Sequence, residues 1–349
     1  MQQVFFYFSV FLILSTLIPF IRHDFWIFRV FEYPRLQKLA LNVALVVLNI
    51  CYLPDEIYQN ITFAMLVANL FYLVYLIYPF TIFGEKQIIN ARKPKGDNNI
   101  SLLIANVYQE NRQSGDYLTL IESCAPDVLL MVETDMWWQQ EMDVIGAHYP
   151  YQLKMPLENT YGMIFYSRLE LRNGTINFLV EDDIPSIQAE VRLKSGDWVR
   201  LHCLHPQPPV PQENPRSTER DKEILMVAQM AKNCTLPVIV MGDLNDVAWS
   251  YTTELFGKVS GLLDPRRGRG FFNSFNAKYF FLRFPLDHIF CSTDFTLSGI
   301  KRMRSCGSDH FPMYVNLQYD PPAENMNEEP IPDEADLELA EEKINAAVG

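Results

Sequence analysis

The chain has 349 residues, room for two domains or one large domain with attachments. It carries 29 Lys plus Arg against 42 Asp plus Glu, a formal charge of -13, with 49% hydrophobic residues. A protein that grips duplex DNA by phosphate neutralisation needs a basic face, and this balance offers none overall.

Composition divides the chain into three regions. Residues 1–96 are rich in Phe, Leu, Ile, Val and Tyr, 97–319 read as globular, and 320–349 are dominated by Glu, Asp, Pro, Asn and Ala. The first region holds apolar runs at Val4–Ile21 (18 residues), Leu39–Leu53 (15) and Ile61–Phe83 (23). About 20 helical residues cross a bilayer core, so about three transmembrane helices are expected, the second being short. The first run lacks the basic start and small-residue cleavage site of a signal peptide and reads as an anchor. Arg22, Arg29, Arg35 and Lys38 lie between the first two runs, and Lys86, Arg92, Lys93 and Lys95 follow the third. Asp55 and Glu56, between the second and third, have no basic company. Three crossings put both basic stretches on one side, which the positive-inside rule makes the cytoplasm, together with the globular region. Were the second run not to cross, that side would flip.

Six cysteines, Cys51, Cys124, Cys203, Cys234, Cys291 and Cys306, show neither C-x-x-C pairing nor zinc spacing, which suits a reducing compartment. Within 97–319 there are 20 basic and 27 acidic residues. Strand-like runs are predicted at Ile100–Tyr108, Val128–Val132, Gly162–Tyr166, Ile184–Leu193, Trp198–Leu204, Val238–Met241, Leu286–Cys291, Phe295–Ile300 and Phe311–Leu317. Helical periodicity marks Tyr117–Cys124, Trp137–Ile145 and Thr218–Ala231, the last with a capping-box-like Thr218-x-x-Asp221. Many strands and few helices predict an α/β domain of sheets packed face to face with helices outside. No Gly-rich phosphate loop of either common form occurs, which argues against nucleotide binding by that route. The tail from Asp320 holds ten acids and one lysine and is expected to be disordered.

Polar residues recur at strand ends. ISLLIANVY carries Asn106, DVLLMVET ends near Glu133, VRLHCLHPQPP holds His205, and VIVMGDLND holds Asp243 and Asn245. PLDHIF carries Asp287, and CGSDHFPMY places Asp309 and His310 before a strand. Gly-Asp and Asn-Asp are also ordinary turn formers, so GDLND alone would read equally well as a turn. The full set, acids with amides and two histidines, is what metal-assisted phosphoryl hydrolysis requires. A hard cation such as Mg2+ takes one or two carboxylates, for which Glu133 and Asp309 are suited by type. Attacking water needs a base or orienting acceptor, and the transition state needs donors for its phosphoryl oxygens.

On Asn106, Glu133, His205, GDLN at 242–245, LDHIF at 286–290 and SDHFP at 308–312, the chain resembles the endonuclease/exonuclease/phosphatase superfamily over roughly 98–319. It reads as a membrane-anchored, bacterial-type member. The resemblance implies the DNase I-like four-layer α/β/β/α sandwich and a Mg2+ (or Mn2+) cofactor. By that resemblance Glu133 is the principal metal ligand, supported by Asn106 and Asp309. Asp243 orients or deprotonates water, Asn245 donates to the scissile phosphate, Asp287 fixes His310, and His310 with His205 stabilise phosphoryl oxygens. Whether Asp243 or His310 is the base stays open. His202, His288, Asp135 and Asp246 read as structural.

The superfamily's substrates span nucleic acids and phospholipids, so the fold does not choose between them. Arg266, Arg267 and Arg269, followed by a dense aromatic stretch to Phe284, are candidate substrate contacts, with Arg216 and Arg220 as weaker ones. The lipid bilayer is the expected partner of residues 1–96, and no protein partner is inferable. A catalytically silent, membrane-anchored binding or scaffold protein of the same fold is the competing reading.

Overall fold

The computed structural model describes residues 2–52, 56–92 and 96–348. Leu53 of the second apolar run, Asp55, Lys93 and Lys95 lie outside them. Four helices come first: α1 (Gln2–Leu17), the short α2 (Trp26–Arg29), α3 (Arg35–Tyr52) and α4 (Ile57–Ile77). Single 3-10 turns carrying Pro19 and Pro79 end α1 and α4, because proline cannot continue the helical hydrogen-bond ladder. Gln2–Phe20 (19 residues) and Ile57–Phe80 (24 residues) are long and apolar enough to cross a membrane. The Trp26–Glu32 and Arg35–Cys51 segments make a third only as one span bent by 66°. Two buried amides inside this bundle are paired: Asn42 donates to Leu66 O at 2.9 Å and accepts from Asn69 Nδ2 at 2.9 Å.

The remainder packs two sheets face to face. The first has the order β10 (Phe295–Arg302), β11 (Met313–Tyr319), β1 (Asn99–Asn106), β2 (Val128–Val132), β4 (Met163–Ser167), β3 (Tyr151–Met155). The second runs β5 (Leu171–Asn177), β6 (Ser186–Arg192), β7 (Trp198–Leu204), β8 (Val238–Asp243), β9 (Asp287–Cys291). Each contains one parallel pair, β1 with β2 and β7 with β8. Alternate residues of both sheets, among them Leu102, Val132, Leu201 and Met241, form the core between them. The opposite face of the first sheet is covered by α5 (Ser114–Cys124) and α6 (Met136–Met142), with Trp138 fully buried. That of the second is covered by α7 (Thr218–Lys232) and α8 (Tyr251–Ser260). Four layers, α/β/β/α, result.

Five elements depart from the expectation. Helix α8 was not predicted. Strands β3 and β5 were not predicted either, because β3 is half-buried throughout and β5 mixes half-buried and exposed positions, so neither carries a clean alternation. Ser217, not Thr218, is the residue before α7, and the Thr218 hydroxyl instead donates to Asp24 of the N-terminal segment. The acidic tail is folded from Glu334 to Asn345 as α9, opened by a reciprocal capping box of Asp333 and Asp336. Ala340 of α9 is buried in the cluster with α7 and α8, and Lys343 Nζ sits 2.8 Å from Asp221.

Candidate active site

Strand alternation decides where the polar side chains gather. In β1, Ile100, Leu102 and Ile104 face the inter-sheet core, and Asn106 is the next residue on that face. The same count along β7 leads to His205, and along β8 to Asp243. In the antiparallel β9 it leads back from Cys291 and Ile289 to Asp287, which pairs in register with Asp243. These side chains therefore cap one end of the apolar layer between the sheets.

Glu133 joins them only by breaking the alternation. Val132 already faces inward, so an extended Glu133 would turn away; its φ of 57° is left-handed instead. Its Oε1 then lies 2.6 Å from Asn106 Nδ2. For a non-glycine residue this conformation costs about 1–3 kcal/mol and persists only where the surroundings impose it. Gly162 contributes, since a Cβ there would meet Thr134 O at 1.8 Å, where Thr134 N donates to Gly162 O. Asn245 is likewise left-handed at φ 50°, just beyond Gly242. Gly242 itself has φ 151°, and a Cβ would lie 1.9 Å from Leu204 O, so only glycine lets β7 and β8 meet there.

One amide ties the cluster together. Asn106 Nδ2 donates to Glu133 and, at 3.0 Å, to Asp243 Oδ2. His310 Nδ1 lies 2.8 Å from Asp287 Oδ2 and 3.5 Å from Asp243 Oδ2. Asn245 N donates to Asp243 Oδ1 at 3.0 Å, while its side-chain amide gives one hydrogen to Pro206 O. Asp309 adjoins the group, its main-chain oxygen accepting from Ala277 N at 2.6 Å.

Burial and charge set the protonation states. Burial alone would lower the His310 pKa, but Asp287 and Asp243 outweigh it and push it up to about 10. For His205 burial outweighs Asp243 and pulls the pKa down to about 4; its Nδ1 bonds to nothing among the described residues, and its ring lies 5.5 Å from Tyr161. For Glu133, burial raises the pKa to about 7 despite His310 and Asn106, with Asp243 and Asp309 adding to the rise.

Two groupings could hold a cation. Asp243, Asp287 and His310 have ligand atoms within 4.8 Å of one another. A histidine ligates only when neutral, and His310 is held protonated between its two acids, so that grouping is the poorer fit. Glu133 has Asp243 and Asp309 beside it with His310 acting against them, and among the described residues its one further hydrogen bond, from Gln109 N, is long at 3.4 Å. The Asn106 NH2 occupies the positive position between two carboxylates; turning that amide over would offer its Oδ1 instead. An oxygen-rich, electron-rich donor set of this kind fits a hard divalent cation.

A model of the Endonuclease/Exonuclease/phosphatase family matches residues 103–310, a span containing every side chain of this cluster. The chain belongs to that family. Among solved structures, D. rerio TDP2 complexed with single strand DNA product superposes with TM-score 0.53 at 18% identity, over 64% of this chain and 100% of that one. A Beutenbergia cavernae endonuclease/exonuclease/phosphatase gives 0.52 at 14%, over 64% and 72%. The human Nocturnin catalytic domain with bound sulfate gives 0.50 at 14%, over 67% and 97%. These likenesses establish a shared fold. No curated relative matches the chain.

In this family member the arginines singled out from sequence do not reach the cleft. Arg266 is 2% exposed, clasps Asp264 through Nε and Nη2, and lies 2.7 Å from His288 Nδ1, so it braces the second sheet from behind. Arg267 lies over the Phe80 ring, and Arg269 bonds to Asn90 and to Ile88 O. Both fasten the domain to the segment that follows α4. Arg216 pairs with Asp24, and Arg220 is buried, donating to Asn245 O at 2.7 Å. His202 and His288 are buried strand residues, Asp135 caps α6, and Asp246 accepts from Val247 N and Ser250. Sequence reasoning missed the supports: Ser274, which receives Asp287 N, and Tyr33, whose hydroxyl donates to Asn245 O at 2.9 Å. Tyr33 lies between two apolar runs, where nothing in its neighbourhood signals a role 212 residues away.

Proposed function

We propose that this protein is a membrane-anchored, divalent-cation-dependent phosphoesterase that hydrolyses a phosphate ester by in-line attack of water. The observation that carries the reading is the Asn106 bridge, which joins Glu133 to Asp243 and, through Asp243, to His310 and Asp287 in a single cluster. Bound by Glu133 with Asn106 and Asp309, Mg2+ or Mn2+ would polarise the phosphoryl group and offset its growing charge. Asp243 stays ionised beside His310 and accepts a hydrogen bond from the attacking water, orienting it. His310, protonated and fixed by Asp287, donates to a phosphoryl oxygen rather than serving as the base. His205, neutral at pH 7, and the remaining amide hydrogen of Asn245 supply further donors.

Anchoring rests on α1 and α4, which are long and apolar enough to span, with α3 packed along them. Asp24, Glu32 and Phe80, at the domain-facing ends of the helices, all contact the domain. The basic residues Arg22, Arg29, Arg35 and Lys86 fall at these ends, and by the positive-inside rule they support a domain on the cytoplasmic side.

The test uses the full chain in nanodiscs with bis-p-nitrophenyl phosphate and either cation. Asp243→Asn and His310→Gln should each lower kcat by about 10²–10⁴-fold, the range for a positioned acid, base or phosphoryl donor. Turnover surviving both changes would overturn the assignment.

A further inference from the structure

Between Asn276 and Arg283 the chain makes a tight, well-bonded turn. Asn276 Oδ1 accepts from Lys278 N at 2.7 Å and Tyr279 N at 3.1 Å, and Leu282 N returns to Tyr279 O at 3.1 Å. Its tip is apolar and outside the protein: Tyr279 is 55% exposed, Phe280 77%, Phe281 56% and Leu282 43%. Four consecutive large apolar side chains held into solvent by a built turn call for a partner.

Two contacts fix where this tip stands. Gln37, in the first turn of α3, donates to Phe281 O at 2.8 Å, so the tip lies level with the domain-facing end of the apolar helices. At its base, Ala277 N donates to Asp309 O, and the Phe275 ring lies 5.0 Å from His310. The turn therefore spans from the catalytic cluster to the boundary where the helices would enter a bilayer. Phe20, Ile21, Ile82 and Phe83 continue the exposed apolar surface at that end of the bundle. Around the tip the charges are positive: Lys278 lies over Tyr108, and Arg283 and Arg302 both lie over Phe311. An aromatic tip with a basic collar is the composition of an element that rests at a lipid interface, rings among the acyl boundary and cations among phosphates.

We propose that the Tyr279–Leu282 tip enters the interface of the bilayer crossed by the helices, so that the cleft at His310 opens onto the membrane surface and takes phospholipid phosphate esters. The inference rests on the membrane-anchored phosphoesterase reading and narrows its substrate. The Phe280 ring packs against Phe281 and the Phe281 ring against Tyr279, within the tip itself, so removing them separates lipid capture from chemistry.

The experiment places the full chain in nanodiscs containing phosphatidylcholine with an anionic phospholipid. It compares wild type with Phe280→Ser/Phe281→Ser on three substrates: bilayer phospholipid, soluble bis-p-nitrophenyl phosphate and single-stranded DNA. Lipid turnover should fall at least tenfold in the double variant, while hydrolysis of the soluble ester is unchanged. Wild type that hydrolyses the soluble ester or DNA but not lipid overturns the inference and leaves the phosphoesterase reading standing. Wild type inert on all three overturns that reading instead. A physical readout remains in either case: a Phe280→Trp chain should show added fluorescence quenching by lipids brominated near the headgroup. No added quenching over wild type overturns insertion of the tip.

Discussion

Glu133, half-buried, and Glu223, buried, are both acids with raised pKa values, and their surroundings give them different meanings. Glu133 has amide, histidine and two further acids around it at the mouth of the cluster. Glu223 faces the interior from α7, with Oε1 unpartnered among the described residues; burial, and then Glu181, push it up to about 8. An unfolded glutamate titrates near about 4.3, so the folded state holds the extra proton and stability falls as pH rises between those values. Glu223→Gln should therefore raise Tm at pH 8 and change it little at pH 5. An equal gain at both pH values would contradict this origin. Gly242 offers a second residue-scale check. Gly242→Ala would drive a Cβ into Leu204 O and should lower stability by about 1–3 kcal/mol or more in a urea titration.

At the scale of elements, the N-terminal segment converges on the loop that follows β8, and α9 packs beside it on α7 and α8. Arg29 Nη2 reaches Asp246 at 3.3 Å and Thr252 at 3.0 Å, and Trp249 Nε1 donates to Glu32 O at 2.9 Å. Tyr33 and Arg220 both donate to Asn245 O, holding its left-handed backbone. Tyr33→Phe should thus lower kcat several-fold with an unchanged Tm. A Tm loss with full kcat would make Tyr33 a packing residue alone. Lys343→Ala removes one of three cations from Asp221 and should cost about 1–3 kcal/mol, read by thermal unfolding. These dependencies explain what could be read in the sequence. The nine predicted strands and the strand-end residues were legible because period-2 alternation and a polar terminus are local patterns. Tyr33, Arg29 and α9 were not, because each acts through contacts with residues more than a hundred positions away. Composition misled at the tail for a related reason: the acids that made 320–349 look disordered include Asp333 and Asp336, which cap α9, and Asp336 also pairs with Lys258. The three arginines misled too, since Arg266 answers a buried acid that sequence spacing could not reveal.

For the whole molecule, helices and domain form one body rather than a domain on a leash. Among the described residues, the contacts of Asp24, Arg29, Glu32, Gln37 and Phe80 with the domain hold the bundle against it. A fragment beginning at residue 97 would expose the faces these residues cover, and should unfold at lower temperature than the full chain. The proposed cytoplasmic orientation is tested at the same scale. A reporter fused to the C-terminus, active only in the cytoplasm, should be active, and activity of a reporter that works only outside would reverse the topology.

The central claim, that Glu133 holds a divalent cation for phosphate-ester hydrolysis, is tested most directly by restoring metal to chelator-treated full chain while following p-nitrophenol release from bis-p-nitrophenyl phosphate. Turnover should return in a saturable way with Mg2+ or Mn2+ in wild type, and Glu133→Gln should recover about 10²-fold less at saturating cation. Turnover that persists in chelator, or that returns equally in Glu133→Gln, would contradict the account.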